Sequence, residues 1–187
     1  MLRYTLEELD RMDKLLVCER EVDPVYELGG VLTYFRNKRP ILFPKIKNSR
    51  VRGAGGLYGD REIIYKLLNM KHENRLFKLM DAIANPKPYK VVDKGPIKEN
   101  IITRNIDLPK LFPIPKYQEK DSSSFITAGV MVVKDPETKK YFTSIRRLQV
   151  NGGNQLSALI ASEKLTNDFL MLERENKPLE VAIVLGY

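Results

Sequence analysis

Cysteine and histidine are nearly missing from this sequence, and tryptophan is missing altogether. Its 187 residues hold one Cys (Cys18), one His (His72) and no Trp. A lone cysteine excludes an internal disulfide and fits a reducing compartment. A lone histidine excludes zinc sites that draw on several His and Cys ligands. A Ser-His-Asp triad would have to use His72, which begins a helical pattern with no serine near it in sequence. Any catalysis therefore rests on carboxylates, lysines, arginines or a bound cofactor. Long apolar runs are absent too: none approaches the roughly 18 residues of a membrane span. The N-terminal MLRYTLEELDRMDKLL lacks the layout of a signal peptide. The expectation is a soluble, cytoplasmic protein with no membrane partner.

One more absence concerns charge. No acid lies between Glu27 and Asp60, while seven bases do: Arg36, Lys38, Arg39, Lys45, Lys47, Arg50 and Arg52. They account for much of a net charge of +8. Three readings are open: a solvated basic surface, a contact with phosphate or nucleic acid, or an interface with an acidic partner. Only Phe35 and Phe43 interleave with these bases, so the stacking pattern of single-strand binders is weak.

What is present is the composition of a globular chain, 43% hydrophobic and 30% charged, long enough for one good core or two small domains. Thr5 and Glu8 read as a capping box for a first amphipathic helix. LLVCE (15–19) reads as a short strand, and Asp23 with Pro24 as the cap and first position of a helix. PILFPKI (40–46) is apolar but broken by Pro44, which predicts an edge strand or a strand end. VRGAGGLYGD (51–60) invites a nucleotide-loop reading, yet a dinucleotide fingerprint needs glycine at position 58, which is Tyr58. No Lys-Ser/Thr pair follows, so a tight turn into a helix capped by Asp60 is predicted instead. Two helices follow, over 60–70 and 72–84, whose apolar positions (Leu76, Leu79, Met80 and Ile83 in the second) predict core.

After Asn85 a Pro-, Gly- and Lys-rich linker leads to an irregular arm and then to FITAGVMVVKDPETKKYFTSIRRLQV (125–150), a hairpin by its alternation and its turn. NGGN (151–154) is a turn, a helix is predicted over about 166–175, and Val181 to Leu185 read as a strand buried on both faces. A sheet that stops there predicts a longer natural chain or a partner that completes it. The strand KKYFTSIRRLQV carries adjacent arginines. Alternation sends Arg147 to one face with Thr143, Ile145 and Gln149, and Arg146 to the other with Phe142, Ser144, Leu148 and Val150.

Four stretches, EREVDPVYELGGVL, DKGPIKENIITRNIDLPKLFPIPKY, the hairpin just quoted and KPLEVAIVLG, follow one another as in UbiD-type decarboxylases. The resemblance covers nearly the whole chain. It implies an α+β fold: an N-terminal α/β domain over 1–98, then part of a split β-barrel flavin-binding domain over 99–187. It implies prenylated FMN as cofactor, held with a divalent metal such as Mn and with K. It also implies (de)carboxylation of an aromatic or α,β-unsaturated acid. Arg147 matches the family's catalytic arginine, and Ile145, Arg146 and Arg147 match its cofactor contacts. The family's metal-ligating Asn falls at Phe142 and a ligating His at Leu165, so no metal ligand is assigned. Lys164 is the candidate to neutralise the flavin phosphate instead. The remaining catalytic groups would lie beyond Tyr187. The expectation is thus a segment or subunit working as a homo- or hetero-oligomer, with a second chain supplying the missing half. The alternative is a non-catalytic structural or regulatory subunit of a UbiD-like complex.

Overall fold

The computed structural model describes residues 2–186. Two sheets organise them. In the first, β1 (Leu16–Val17) runs parallel to β2 (Ile41–Phe43), and β3 (Gly53–Gly55) runs antiparallel to β2. A parallel pair needs a crossover, and α2 (Glu27–Tyr34) supplies it. Its Leu28 and Leu32 close over Val22, Ile41, Phe43 and Ile46 to make the first core.

Several local expectations shift here, each for a packing reason. Helix α1 (Leu2–Arg11) starts ahead of the supposed capping box, and Thr5 lies buried inside it beside Leu9. Positions 2, 5 and 9 share one helical face, and burial of that face sets the boundary. Asp23 does not cap α2: its carboxylate accepts from the Val25 N–H at 2.8 Å and pairs with Lys47 at 2.8 Å. The helix begins only after Tyr26, held at φ 68°. There the backbone is engaged by the later arm: the Tyr26 N–H donates to the Lys116 carbonyl (2.9 Å), and the Lys116 N–H to that of Pro24 (3.2 Å). Strand β2 is central, not an edge; Pro44 lies just past its end and removes no ladder bond.

The glycine-rich turn meets protein backbone. Gly56 sits at φ +66°, and a Cβ at Gly59 would come within 1.7 Å of the Asn37 carbonyl oxygen. These glycines let the chain pass against residues 37–39. Asp60 caps α3 (Arg61–Leu67), accepting from the Glu62 N–H at 2.9 Å. Helix α4 (Arg75–Ala84) overturns its reading as core: none of its residues is buried, and Leu76, Leu79, Met80 and Ile83 are exposed, with Phe77 76% exposed. Periodicity locates an apolar face without supplying its partner. Beyond it residues 85–94 are exposed throughout.

The second sheet has the order β6-β5-β4-β7, all antiparallel. After the short α5 (Leu108–Leu111), β4 (Phe125–Lys134) and β5 (Tyr141–Val150) form the predicted hairpin. Asp135 closes its turn by accepting from the N–H groups of Glu137 and Thr138 at 2.8 and 3.0 Å. Strand β6 (Leu156–Ala158) follows the turn at Gly152 and Gly153, both at positive φ. Helix α6 (Glu163–Arg174) starts three residues before its predicted position, because Ser162 caps it. Its Leu165 packs on Ile126, Met131, Val133 and Leu148 to make the second core. β7 (Val181–Val184) pairs with β4 but is an edge, with Val181 and Ala182 exposed. The expected burial on both faces fails: Val181 and Ala182 point to opposite faces and both are exposed, and no strand flanks the outer edge among the described residues. In that range no helix is long and apolar enough to cross a membrane.

Candidate functional site around the arginine strand

The alternation of β5 is realised. Leu148 and Val150 are buried on the side that α6 covers, with Phe142, Ser144 and Arg146 half-buried on the same side. Thr143, Ile145 and Arg147 face outward, and Ile145 is 65% exposed. Across from them on the open face stand Val130 and Val132 of β4 and Val184 and Ala182 of β7. A sheet face of aliphatic residues left open to solvent is a binding surface or an interface.

A β-bulge breaks the β4–β5 ladder at the arginines. Ile126 pairs with Leu148 and Gly129 with Arg146, so Thr127 and Ala128 together oppose Arg147. Two residues against one increase the local twist and re-aim side chains, which is why bulges recur beside active sites. Arg146 donates from Nε to Ser144 Oγ at 3.3 Å. Neither arginine is paired with a carboxylate among the described residues. Both line a cavity of ≈ 570 Å³ with Ile145, Gln149, Ser157 and Leu159. Because the two arginines point to opposite faces of the strand, its chemistry on the open side is the Arg147 guanidinium, the Gln149 amide, the Ser157 hydroxyl and exposed aliphatic carbon. That set can seat a flat, partly apolar ring system bearing an anionic group.

A larger cavity of ≈ 780 Å³ lies past the C-terminal end of β5, sharing Gln149 with the first, between Asp23, Lys47 and Ser122 to Ser124. Its polar groups serve one another. Lys47 is paired with Asp23, and Ser123 Oγ donates to the Val150 carbonyl at 2.5 Å. With no charge left over, it is a weaker candidate than the smaller arginine cavity.

Lys164 stands elsewhere. Its ammonium is 2.8 Å from Asp135 Oδ2 and 2.6 Å from Asp168 Oδ1, and both carboxylates are buried. The Lys164 hydrogen bond, helped by the N–H of Thr138, holds the Asp135 carboxyl well below the usual carboxylate range. Asp135 and then Asp168 raise Lys164 in turn. A lysine expected to meet a flavin phosphate is therefore already neutralised twice, and it clamps α6 to the hairpin turn. Asp168 Oδ2 is buried without a partner. The two positions where the sequence had lost metal ligands are structural: Leu165 is 1% exposed at the centre of the second core, and Phe142 packs against it. They offer no ligand atom, and no three His, Cys, Asp or Glu gather elsewhere among the described residues.

The sequence had marked Ile145, Arg146 and Arg147, and the structure puts all three around one cavity. It had not marked the bulge, which leaves no trace in residue type. Nor had it marked the Asp135–Lys164–Asp168 clamp, of which only the i,i+4 spacing of Lys164 and Asp168 was visible.

Residues 6–83 match the 3-octaprenyl-4-hydroxybenzoate carboxy-lyase N-terminal domain, and residues 90–187 the Rift-related domain of the same carboxy-lyase. The anhydromevalonate phosphate decarboxylase of Methanothermobacter thermautotrophicus is 30% identical over 95% of this chain and 41% of its own length. The phenolic acid decarboxylase of Sedimentibacter hydroxybenzoicus is 25% identical over 99% of this chain and 42% of its own. Among solved structures, the UbiD-class enzyme HmfF of Pelotomaculum thermopropionicum in complex with FMN superposes with a TM-score of 0.94 at 37% identity. The match covers 99% of this chain and 42% of HmfF. An evolved dimeric form of HmfF, in complex with prFMN, superposes equally well. This chain thus spans about two fifths of the length of these proteins. By both halves of its sequence and by its fold, the chain belongs to the UbiD family.

Proposed function

We propose that this chain carries the arginine-bearing part of a UbiD-type (de)carboxylase acting on an aromatic or α,β-unsaturated carboxylic acid with prenylated FMN. Further chain or a partner subunit completes it. Residues 1–98 act as the N-terminal α/β domain and 99–187 as the flavin-facing partial barrel. The observation that carries the reading is the pair Arg146–Arg147. It stands opposite a bulge, with Arg147 on the open, aliphatic sheet face and Arg146 half-buried on the other, and among the described residues neither has a carboxylate to neutralise it. The flavin, when bound, supplies an electron sink for the carbon that loses CO2. The chain's own residues do the rest. Arg147 holds the substrate carboxylate by a charge-assisted, two-pronged contact and opposes the charge that develops there. Arg146 and Ile145 hold the edge of the ring system. Lys164 acts through α6, keeping the covered side of β5 rigid beneath the arginines.

The open sheet face, the β7 edge and the bare apolar stripe of α4 are the surfaces that the missing chain or partner would cover. The relatives' named substrates differ in one respect: anhydromevalonate phosphate carries a second anionic group, and a phenolic acid need not. Absorbance and native mass spectrometry of the chain co-expressed with a flavin prenyltransferase test the reading. Bound flavin that disappears in Arg147→Gln is expected. A specific observation supports a second reading, a non-catalytic subunit: Phe142 and Leu165 are built into the core where ligands would stand. A flavin-free chain in stable complex with a larger subunit would favour it.

A further inference from the structure

Beside the arginine cavity a smaller one, ≈ 250 Å³, opens toward the first sheet. Phe112, Tyr117, Phe125 and prolines of the arm wall it, and among the described residues Arg52 is the only charged one lining it. Two features join it to the arginine strand. Phe125 lines both cavities, and Thr127, on its wall, is one of the two bulge residues that oppose Arg147. Arg52 is the last base of the acid-free stretch. Lys47, in the same stretch, is neutralised by Asp23, whereas Arg52 is exposed and has no carboxylate partner among the described residues. An exposed guanidinium beside an aromatic wall, with no carboxylate partner among the described residues, is arranged for an anion brought by a ligand.

We propose that Arg52 is a second anion anchor. It takes a carboxylate or a phosphate monoester at the far end of a substrate whose reacting carboxylate lies at Arg147, so the acids this chain serves are dianions. The reacting end of this assignment rests on the flavin-site reading above. The anchor itself is a statement about binding, and it extends to the N-terminal half of the chain a part in choosing substrate.

The test is calorimetric titration of the full chain with three probes of one aromatic framework: benzoate, isophthalate and 3-carboxyphenyl phosphate. The dianions are expected to bind about tenfold or more tightly than benzoate, the scale of one added charge-assisted contact. Arg52→Leu should erase that difference and leave benzoate unchanged, and Arg52→Lys should keep part of it. Arg50→Leu, an exposed base of the same stretch outside the cavity, should change nothing. A preference for the phosphate over isophthalate assigns the anchor to phosphate esters, and the reverse to dicarboxylates. Equal affinity for all three probes, no binding of any, or the same loss in Arg50→Leu would overturn the proposal. So would an Arg52→Leu variant that weakens benzoate equally. The flavin reading fails separately: an anchor that prefers dianions in a chain that never holds flavin sinks that reading alone. A flavin-loaded chain without the preference sinks only the anchor.

Discussion

The two sheets of this molecule use their strands differently. The first has three strands of two or three residues, and its central strand is paired on both sides beneath one crossover helix. Its glycines admit neighbouring backbone. The second has a hairpin of two ten-residue strands, one face closed by α6 and the other left open. Along β5 successive residues are therefore divided by task. Leu148 and Val150 hold the sheet on the core, while Ile145 and Arg147 are presented outward. A single strand can be rigid and exposed at once because its side chains alternate. The strands of the first sheet are two or three residues long and offer no face of comparable length among the described residues, so the candidate chemistry sits on the other sheet.

Substitutions can break this contrast or sharpen it. The largest effect is expected for Phe43→Ala, which empties the centre of the first core at a cost of about 3–5 kcal/mol. Hydrogen exchange should then show protection lost at β1 to β3 before β4 and β5, and simultaneous loss in both sheets would mean that the two cores fold as one. Leu165→Ala, at about 2–5 kcal/mol, should do the reverse and free α6 from β5. Asp135→Asn loosens the clamp, and its signature is pH. Asp135 titrates below its ordinary 3.8 in the folded chain. Its contribution is thus complete above that value and fades as pH falls through the lowered one. Lys164 titrates above its ordinary 10.5, so its contribution is complete below 10.5 and fades as pH rises through the raised value. The Tm gap between wild type and Asp135→Asn should stay level from about pH 5 to 9 and narrow outside that window. A gap independent of pH from 2 to 7 would remove the clamp from the account. The smallest effect belongs to the open face: Ile145→Ser should move stability by no more than about 0.5 kcal/mol. Its flavin absorbance should nevertheless fall, and a large loss of Tm would show that face to be core.

Much of the second sheet is legible in the sequence alone. The hairpin announced itself through alternation and a DPET turn, and the split between Arg146 and Arg147 followed from a period of two. What stayed hidden was relational. Whether α4's stripe meets a partner depends on surfaces outside the helix, so Leu76 and Ile83 read as core and stand exposed. Val181 to Leu185 carry the apolarity of an inner strand, yet burial depends on what covers each face, and Val181 and Ala182 stand exposed on opposite ones. Asp23 has the residue type of a cap, but Lys47 and the Val25 N–H hold its carboxylate in another task. The bulge opposite Arg147 needed the register of both strands, and Arg52 looked like one base among seven until the fold set it against aromatic walls.

The contacts at Lys116 have a consequence for how the chain is threaded. Its backbone clasps Pro24 and Tyr26, and its ammonium lies 5.8 Å from the Tyr26 ring centroid. Everything between Tyr26 and Lys116, including the exposed run at 85–94, is therefore a loop closed at its base. A protease that cuts within that run severs the polypeptide without separating its ends. The nicked molecule would give two bands in denaturant and a single species in native buffer, and the arginine strand would remain seated against its amino-terminal half.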